Sequence, residues 1–448
     1  MEFSSTSRQQ LFPLNSQTAF SFKNGNPLIN FSIARGGMLD PASIRFNYTL
    51  KIQQATSQTQ SPAQLLLPNN NDAKGTGTAV NIKLNERVGS MAVVDVLTLS
   101  VLDGQSQNTT LESIRSSPRY LASVVPVSHS IEDMNTYMSC MTLNASRTEI
   151  TSNMVNNVVG CSQQFLQSGL LNSQNLIPTH LFGMSVSLQL IPDAMLLSGA
   201  NGVNTFYELT DCSLTFNMLN PTDEMNKMLN SQQNQQFTYN SVNNVYNTIN
   251  SGNAFTNINW GLNNVKSVFS NFLPATSVNN YAVDSLATPE LEVSTSTPAV
   301  VDRVSFSRGG QLFPITEELD VKVSSTEDRC LVPVLKNGVS AIIPFTKLGH
   351  SLVSPSTQID INAQMNASST SSILPLVNSN LGGVQPNSIT NIGCSMDSFS
   401  EYGVSFADDT YGLAIKSNHT SSYPVGVFSY AVARNRLMVN NGRIMVSS

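Results

Sequence analysis

The chain has 448 residues, 40% of them hydrophobic, and carries 23 Lys and Arg against 29 Asp and Glu, a formal net charge of −6. That length and apolar content suffice for two domains with proper cores and exclude a disordered chain. Charged residues make up only 12%, about half the usual share, and the negative balance excludes a basic coat that binds phosphates. The polar surface is therefore mostly Asn, Ser, Thr and Gln, which suits packing against copies of the same chain, although a compositional bias of the source would look alike.

Residues 1–17 read as an N-terminal arm whose only charges are Glu2 and Arg8. Met1–Gln10 is mostly polar, so no secretory signal is expected. No run of about 18 apolar residues occurs, so no transmembrane helix is expected.

A first β-unit is expected over residues 18–221. Arg35-Gly36-Gly37-Met38-Leu39-Asp40-Pro41 forms a turn and leads into Ser43–Ile52. There Ile44, Phe46, Tyr48, Leu50 and Ile52 share one face, and Ser43, Arg45, Asn47, Thr49 and Lys51 the other. This period of two belongs to a half-buried strand, since a helix repeats its apolar face every three or four residues. Gly75-Thr76-Gly77 lies in a polar stretch and reads as a loop tip. Leu111–Val125 is a candidate short helix, interrupted by Pro118. Ser130 before Ile131-Glu132-Asp133 predicts a capped helical first turn. Met184, Val186, Leu188 and Leu190 alternate with polar residues, as do Cys212, Leu214, Phe216 and Met218.

Residues 222–294 read as a connecting segment. Thr222 is a cap for a helix over Thr222–Gln236, with Met225, Met228 and Leu229 on one face. Residues 230–290 are rich in Asn, Ser and Gln and hold the only tryptophan, Trp260. Phe255, Trp260, Val265, Val268, Phe269 and Phe272 predict packed turns there rather than free coil.

A second unit is expected over residues 295–448. Arg308-Gly309-Gly310-Gln311-Leu312-Phe313-Pro314 matches the earlier heptapeptide at five of seven positions. With strand-like residues on both sides, the match predicts a duplication, with units starting near residues 20 and 295. Strands follow at Leu319/Val321/Val323, Ile359/Ile361/Ala363/Met365 and Phe428/Tyr430/Val432. Asn441-Gly442 inside Leu437–Val446 predicts a two-residue hairpin. The fold class is therefore all-β: two tandem antiparallel β-sandwiches with few short helices.

No residue set suggests chemistry. His129, His180, His350 and His419 lie far apart, with no metal-binding spacing among them. Cys140, Cys161, Cys212, Cys330 and Cys394 are odd in number and widely spaced, which predicts reduced thiols. Glu132-Asp133, Glu317-Glu318 and Asp408-Asp409 are adjacent acids, and neighbours on a strand point to opposite faces. No nucleophile elbow or phosphate loop is present. The sequence predicts no catalytic, metal-binding or cofactor-binding residue, and no enzyme.

Several stretches resemble double jelly-roll major capsid proteins, such as those of polinton-like viruses, virophages and related double-stranded DNA viruses. Val96-Leu97-Thr98-Leu99, Asp103-Gly104-Gln105, Leu111-Glu112-Ser113-Ile114 and Arg119-Tyr120-Leu121 resemble that family's strand, loop and short helix. Gly36–Leu50 looks like its early long strand, and Pro178–Leu197 like the close of its first jelly roll. Tyr402-Gly403, Ile415-Lys416-Ser417, Pro424 to Ser429 and Asn441-Gly442 resemble its ending. The resemblance implies two jelly rolls per chain and a trimeric capsomer of pseudo-sixfold outline that tiles an icosahedral virion shell. Implied partners are neighbouring capsomers, penton and minor capsid proteins and, in viruses that have one, an inner membrane, with no sequence-specific nucleic-acid binding. Two other readings stay open: a minor virion protein (penton or spike), and a non-viral carbohydrate-binding β-sandwich. Like topology in both halves would separate the first from these.

Overall fold

A computed structural model describes residues 3–54, 82–83, 89–102, 108–123, 141–143, 149–150, 158–172, 175–196, 205–225, 227, 234–249, 253–274, 303–313, 319–320, 391–395, 403–407, 411–416, 425–440 and 443–447. The first half contributes β1 (Phe3–Leu11), β2 (Ala19–Phe20), β3 (Leu28–Ile33), β4 (Met38–Gln54), β5 (Ile82–Lys83), β6 (Val94–Leu102), β7 (Asn108–Ile114), β8 (Met141–Leu143), β9 (Glu149–Ile150), β10 (Val158–Phe165), β11 (Gly183–Leu190) and β12 (Thr205–Pro221). The second contributes β13 (Asn234–Ile249), β14 (Asn253–Ile258), β15 (Val265–Pro274), β16 (Arg303–Arg308), β17 (Gln311–Leu312), β18 (Leu319–Asp320), β19 (Asn391–Ser395), β20 (Tyr411–Lys416), β21 (Val425–Asn440) and β22 (Arg443–Ser447). Among the described residues helix is confined to short pieces, chiefly α1 (Ser117–Ser123) and α2 (Asp193–Leu196).

The strands alternate as the residues dictate. On β4, Ile44, Phe46, Tyr48 and Leu50 are buried while Arg45, Asn47, Thr49 and Lys51 are half-exposed. On β11, Met184, Val186, Leu188 and Leu190 are fully buried and Gln189 is exposed. Each inward row buries several large apolar side chains, worth roughly 1.5–3 kcal/mol apiece before entropy is counted.

The pairing defines two sandwiches of one topology. One sheet runs β1-β12-β4-β10-β8, with β2 also on β12, and faces a sheet β3-β11-β6-β7. Another runs β13-β21-β15-β19, with β22 also on β21, and faces β14-β20-β16-β17, with β18 also on β16. Lettered B to I in chain order, β2, β3, β4, β6, β7, β10, β11 and β12 give the sheets B-I-D-G and C-H-E-F. Lettered likewise, β13, β14, β15, β16, β17 with β18, β19, β20 and β21 give the same two sheets. All these pairings are antiparallel, and this is the eight-stranded jelly roll.

Several expectations are corrected. Residues 3–11 of the expected arm are strand β1, paired with Leu214–Pro221 of β12. Leu111–Ile114 ends strand β7, and the helix is Ser117–Ser123, with Pro118 in its first turn, where a missing N–H costs nothing. Of the expected helix over Thr222–Gln236, Asp223–Met225 and Lys227 are helical among the described residues, and Asn234 already opens β13. The segment 222–294 therefore holds β13, β14 and β15, which pair with β21, β20 and β19.

The heptapeptide match is not a duplication signal. Arg35-Gly36-Gly37 crosses from C to D, between two sheets, whereas Arg308-Gly309-Gly310 is the E-to-F hairpin. Gly309 and Gly310 have φ of +55° and +84°, which a two-residue hairpin turn requires. Gly36 and Gly37 take positive φ as well, +153° and +53°, and at Gly37 a Cβ would in addition lie 2.7 Å from the Leu219 carbonyl oxygen. One backbone demand at two unlike connections produced one motif. The final hairpin is as expected, with Asn440 paired to Arg443 across residues 441–442. The strand expected at Ile359–Met365 lies outside the described residues.

Candidate functional site: a buried joint and an open strand edge

The two sandwiches meet along β7, α1 and β13. Glu112, on β7, is 3% exposed and accepts three backbone N–H groups. Gly169 and Val242 donate to its Oε1 at 2.8 and 2.7 Å, and Leu170 donates to its Oε2 at 2.9 Å. Val242 belongs to β13, so this one carboxylate holds both sandwiches. Burial raises its pKa, and the N–H donors together with Ser168 oppose the rise. Both oxygens are engaged by donors, so a carboxylate is required and an amide cannot replace it.

The backbones come close around that point. A Cβ on Gly169 would lie 2.8 Å from the Asn240 carbonyl oxygen, so only glycine fits against β13. Arg115 N–H donates to Asn244 Oδ1 (3.3 Å), and Asn244 Nδ2 donates to the Arg115 carbonyl (2.7 Å). The Tyr239 hydroxyl donates to the Leu111 carbonyl (3.4 Å). The α1 side chains complete the contact: Arg119, 1% exposed, lies 5.1 Å from the Phe428 ring centroid, and Tyr120 packs beside Tyr430. Phe237, Tyr239, Val242, Phe428, Tyr430 and Val432 all join the buried cluster of the first sandwich. The core of the first sandwich thus extends onto one face of β13 and β21, while Val265, Val268, Phe306 and Tyr411 are buried outside that cluster.

The matching edge of the first sandwich is open. There the B side of strand I is lined by β1, which pairs with β12 and with no second strand among the described residues. Most of β1 is exposed. It leads to Phe12 and Leu14, 70% and 66% exposed, the two most exposed large apolar residues described. Leu14 N–H donates to the Asn30 carbonyl, which sets Leu14 beside β3, where Leu28 also faces outward.

Of the residues weighed for chemistry, His180 sits by the C-to-D turn, its N–H donating to the Gly37 carbonyl, and burial lowers its imidazole pKa. Cys161 is exposed and Cys212 buried, and neither is in a disulfide. His129, His350, His419, the three acid pairs, Gly75–Gly77, Cys140 and Cys330 lie outside the described residues. Among the described residues no three His, Cys, Asp or Glu side chains gather into a metal site, and no helix is long and apolar enough to cross a membrane. Sequence reasoning missed Glu112, whose partners lie 57 and 130 residues away.

Solved structures resemble the chain over its full length. The Faustovirus major capsid protein superposes with a TM-score of 0.55 at 9% identity, covering 96% of this chain and 90% of that one. PBCV-1 VP54, fitted into a reconstruction of the virophage Sputnik, gives 0.52 at 11% identity, covering 100% and 98%. The fold is a double jelly roll. A quasi-atomic model of the PBCV-1 capsid gives 0.52 at 10% identity with the same coverage. No family model and no curated protein matches the sequence. The double jelly roll is thus recognised here by strand order, since identities near one in ten leave little side-chain pattern in common.

Proposed function

We propose that the chain is a major capsid protein of a virion, which self-assembles as trimeric, pseudo-hexameric capsomers into an icosahedral shell. The observation that carries this reading is the repetition of one B-I-D-G and C-H-E-F topology within a single chain. Three such chains in a ring present six like units, and six-sided blocks tile a surface. The length-wide likeness to a Faustovirus major capsid protein supports the same role. A penton or spike would carry one shell domain with a binding module, and a second jelly roll of like topology speaks against it.

On this reading the first unit ends with β12 and the second starts with β13. Its partners are copies of itself, then penton and minor capsid proteins, and an inner membrane where the virus has one. It performs no catalysis and reads no nucleic-acid sequence. Mass photometry of the purified protein tests the core of the proposal. The expected species has a mass of about 145 kDa, three times the 48.4 kDa chain. A protein that stays monomeric at every concentration, and forms no particles under the electron microscope, overturns it. With so few charges, assembly is expected to vary little between low and high salt.

A further inference from the structure

We infer that the second sandwich is a conditional unit, which keeps its fold only while it is docked on the first. Strand β21 shows where its apolar bulk goes. Val427, Ser429, Ala431 and Ala433 share one face of this strand, and Phe428, Tyr430 and Val432 share the other. Phe428, Tyr430 and Val432 join the buried cluster of the first sandwich, and Val427, Ala431 and Ala433 do not. In the smaller row Ser429 pairs with Ser270, their hydroxyls 2.8 Å apart and both fully buried. The first sandwich is arranged the other way. On its long strand β4, Phe46 and Tyr48 are buried side by side, and Phe31 of the facing sheet meets Phe46 at 6.1 Å. The second sandwich does hold an aromatic group of its own, in which Phe306 and Phe406 pack on Tyr411. Even so, the row of β21 turned away from the joint is small throughout.

The backbone tells the same story. Among the described residues β13 is the edge of its sheet and pairs with β21 alone. An uncovered edge strand leaves N–H and C=O groups unpaired, and proteins cover such edges. Here the first sandwich is the cover. Glu112 takes the Val242 N–H, and the Asn244 side-chain amide closes a two-bond ring with the Arg115 backbone. Glu112 is held in place without β13, because two of its three donors, Gly169 and Leu170, belong to the first sandwich. Removing the second sandwich costs Glu112 one donor of three. Removing the first uncovers Phe428, Tyr430 and an edge strand together. The dependence therefore runs from the second unit to the first.

The test is pulsed hydrogen exchange, read by mass spectrometry, on the full chain equilibrated across a urea series. Peptides from residues 237–249 and 427–433 report the second sandwich, and those from 44–50 and 184–190 report the first. The second-sandwich peptides are expected to become labelled at about 1 M less urea, or lower still, than the first-sandwich ones. Glu112→Ala is expected to lower the second-sandwich midpoint by about 1 M or more and the first-sandwich midpoint by less than half as much, although Glu112 belongs to the first. Two independent units would show the reverse, a shift confined to the first-sandwich peptides, and that result overturns the inference. A single midpoint shared by all these peptides overturns it too, because the chain would then be one cooperative unit. So does a second sandwich that stays protected after the first is labelled. Should Glu112→Ala fail to fold, Asn244→Ala takes its place: a lower midpoint in the second-sandwich peptides alone is expected, and unchanged midpoints overturn the inference. None of these outcomes touches the capsid reading, which rests on topology.

Discussion

The last strands of the two jelly rolls, β12 and β21, hold the same place and live in different surroundings. On β12 the inward row Leu209, Cys212, Leu214 and Phe216 is apolar, and the other face carries Ser213 and Thr215, which bond to Gln10 and Asn47. On β21 every residue from Gly426 to Ala433 is buried, on both faces. The difference lies in what stands outside each sheet. The second sandwich has the first sandwich against it, with α1 on Phe428 and Tyr430. Among the described residues the first has β1 there. Equal topology does not make the units interchangeable: β21 is buried on both faces, and the strand in the same place in the first unit is not.

The largest way to break this comparison is to cut the finished joint. Glu112→Ala strands three buried N–H donors, and an expected loss of about 3–5 kcal/mol should appear as a lower denaturant midpoint. Glu112→Gln keeps the shape but turns an NH₂ group toward an N–H donor, so most of the loss should persist.

A pH effect of up to about 3 kcal/mol sharpens the contrast, because the carboxylates raised by burial, Asp95, Glu112 and Asp193, all belong to the first sandwich. Asp95 is pushed up to about 6, and its Oδ1 is buried without a partner. A carboxyl with its folded pKa above its unfolded one binds more protons when folded. Its contribution is therefore greatest below about pH 4 and is lost as pH rises through 6. Urea titrations at pH 4 to 7 should show that slope, and Asp95→Asn should flatten it.

Gly169→Ala is next. It forces a Cβ against the β13 backbone and should cost about 2 kcal/mol in thermal unfolding, with the β1 side unaffected. The smallest effect belongs to the open edge: Phe12→Ser should change monomer stability by less than about 0.5 kcal/mol, as surface changes do. A loss as large as that of Gly169→Ala would mean that Phe12 is structural and that the edge is not open.

The sequence displayed the well-alternating strands. β21 was marked by Phe428, Tyr430 and Val432 although both its faces are buried over Gly426–Ala433, and β4, β11 and β12 follow from their residues, because each has one wetter face and one dry one. β13 did not, although Phe237, Tyr239, Val242 and Tyr246 mark it. Asparagines are poor strand formers on average, so composition read as a loop, whereas Asn244 of this strand bonds to Arg115 of the first sandwich. The two glycine heptapeptides misled because both connections demand positive φ, one between sheets and one within a hairpin, and a motif does not say which strands it joins. The joint was illegible for another reason. Glu112 looked like one residue of a short helix, and its meaning comes from Gly169 and Val242, which only the fold brings near.

The pairing of β1 with Leu214–Pro221 also sets a schedule for synthesis. Its partner strand leaves the ribosome some 200 residues later, at typical speeds on the order of 10–40 s. The second unit waits as long, since β13 pairs with β21 from Asn234↔Asn440 to Ile249↔Val425. Each jelly roll therefore spends its youth as an incomplete sheet, and the strands that wait are the ones rich in Ser, Thr, Asn and Gln. Their scarcity of apolar residues keeps them soluble until the last strand arrives to close the fold.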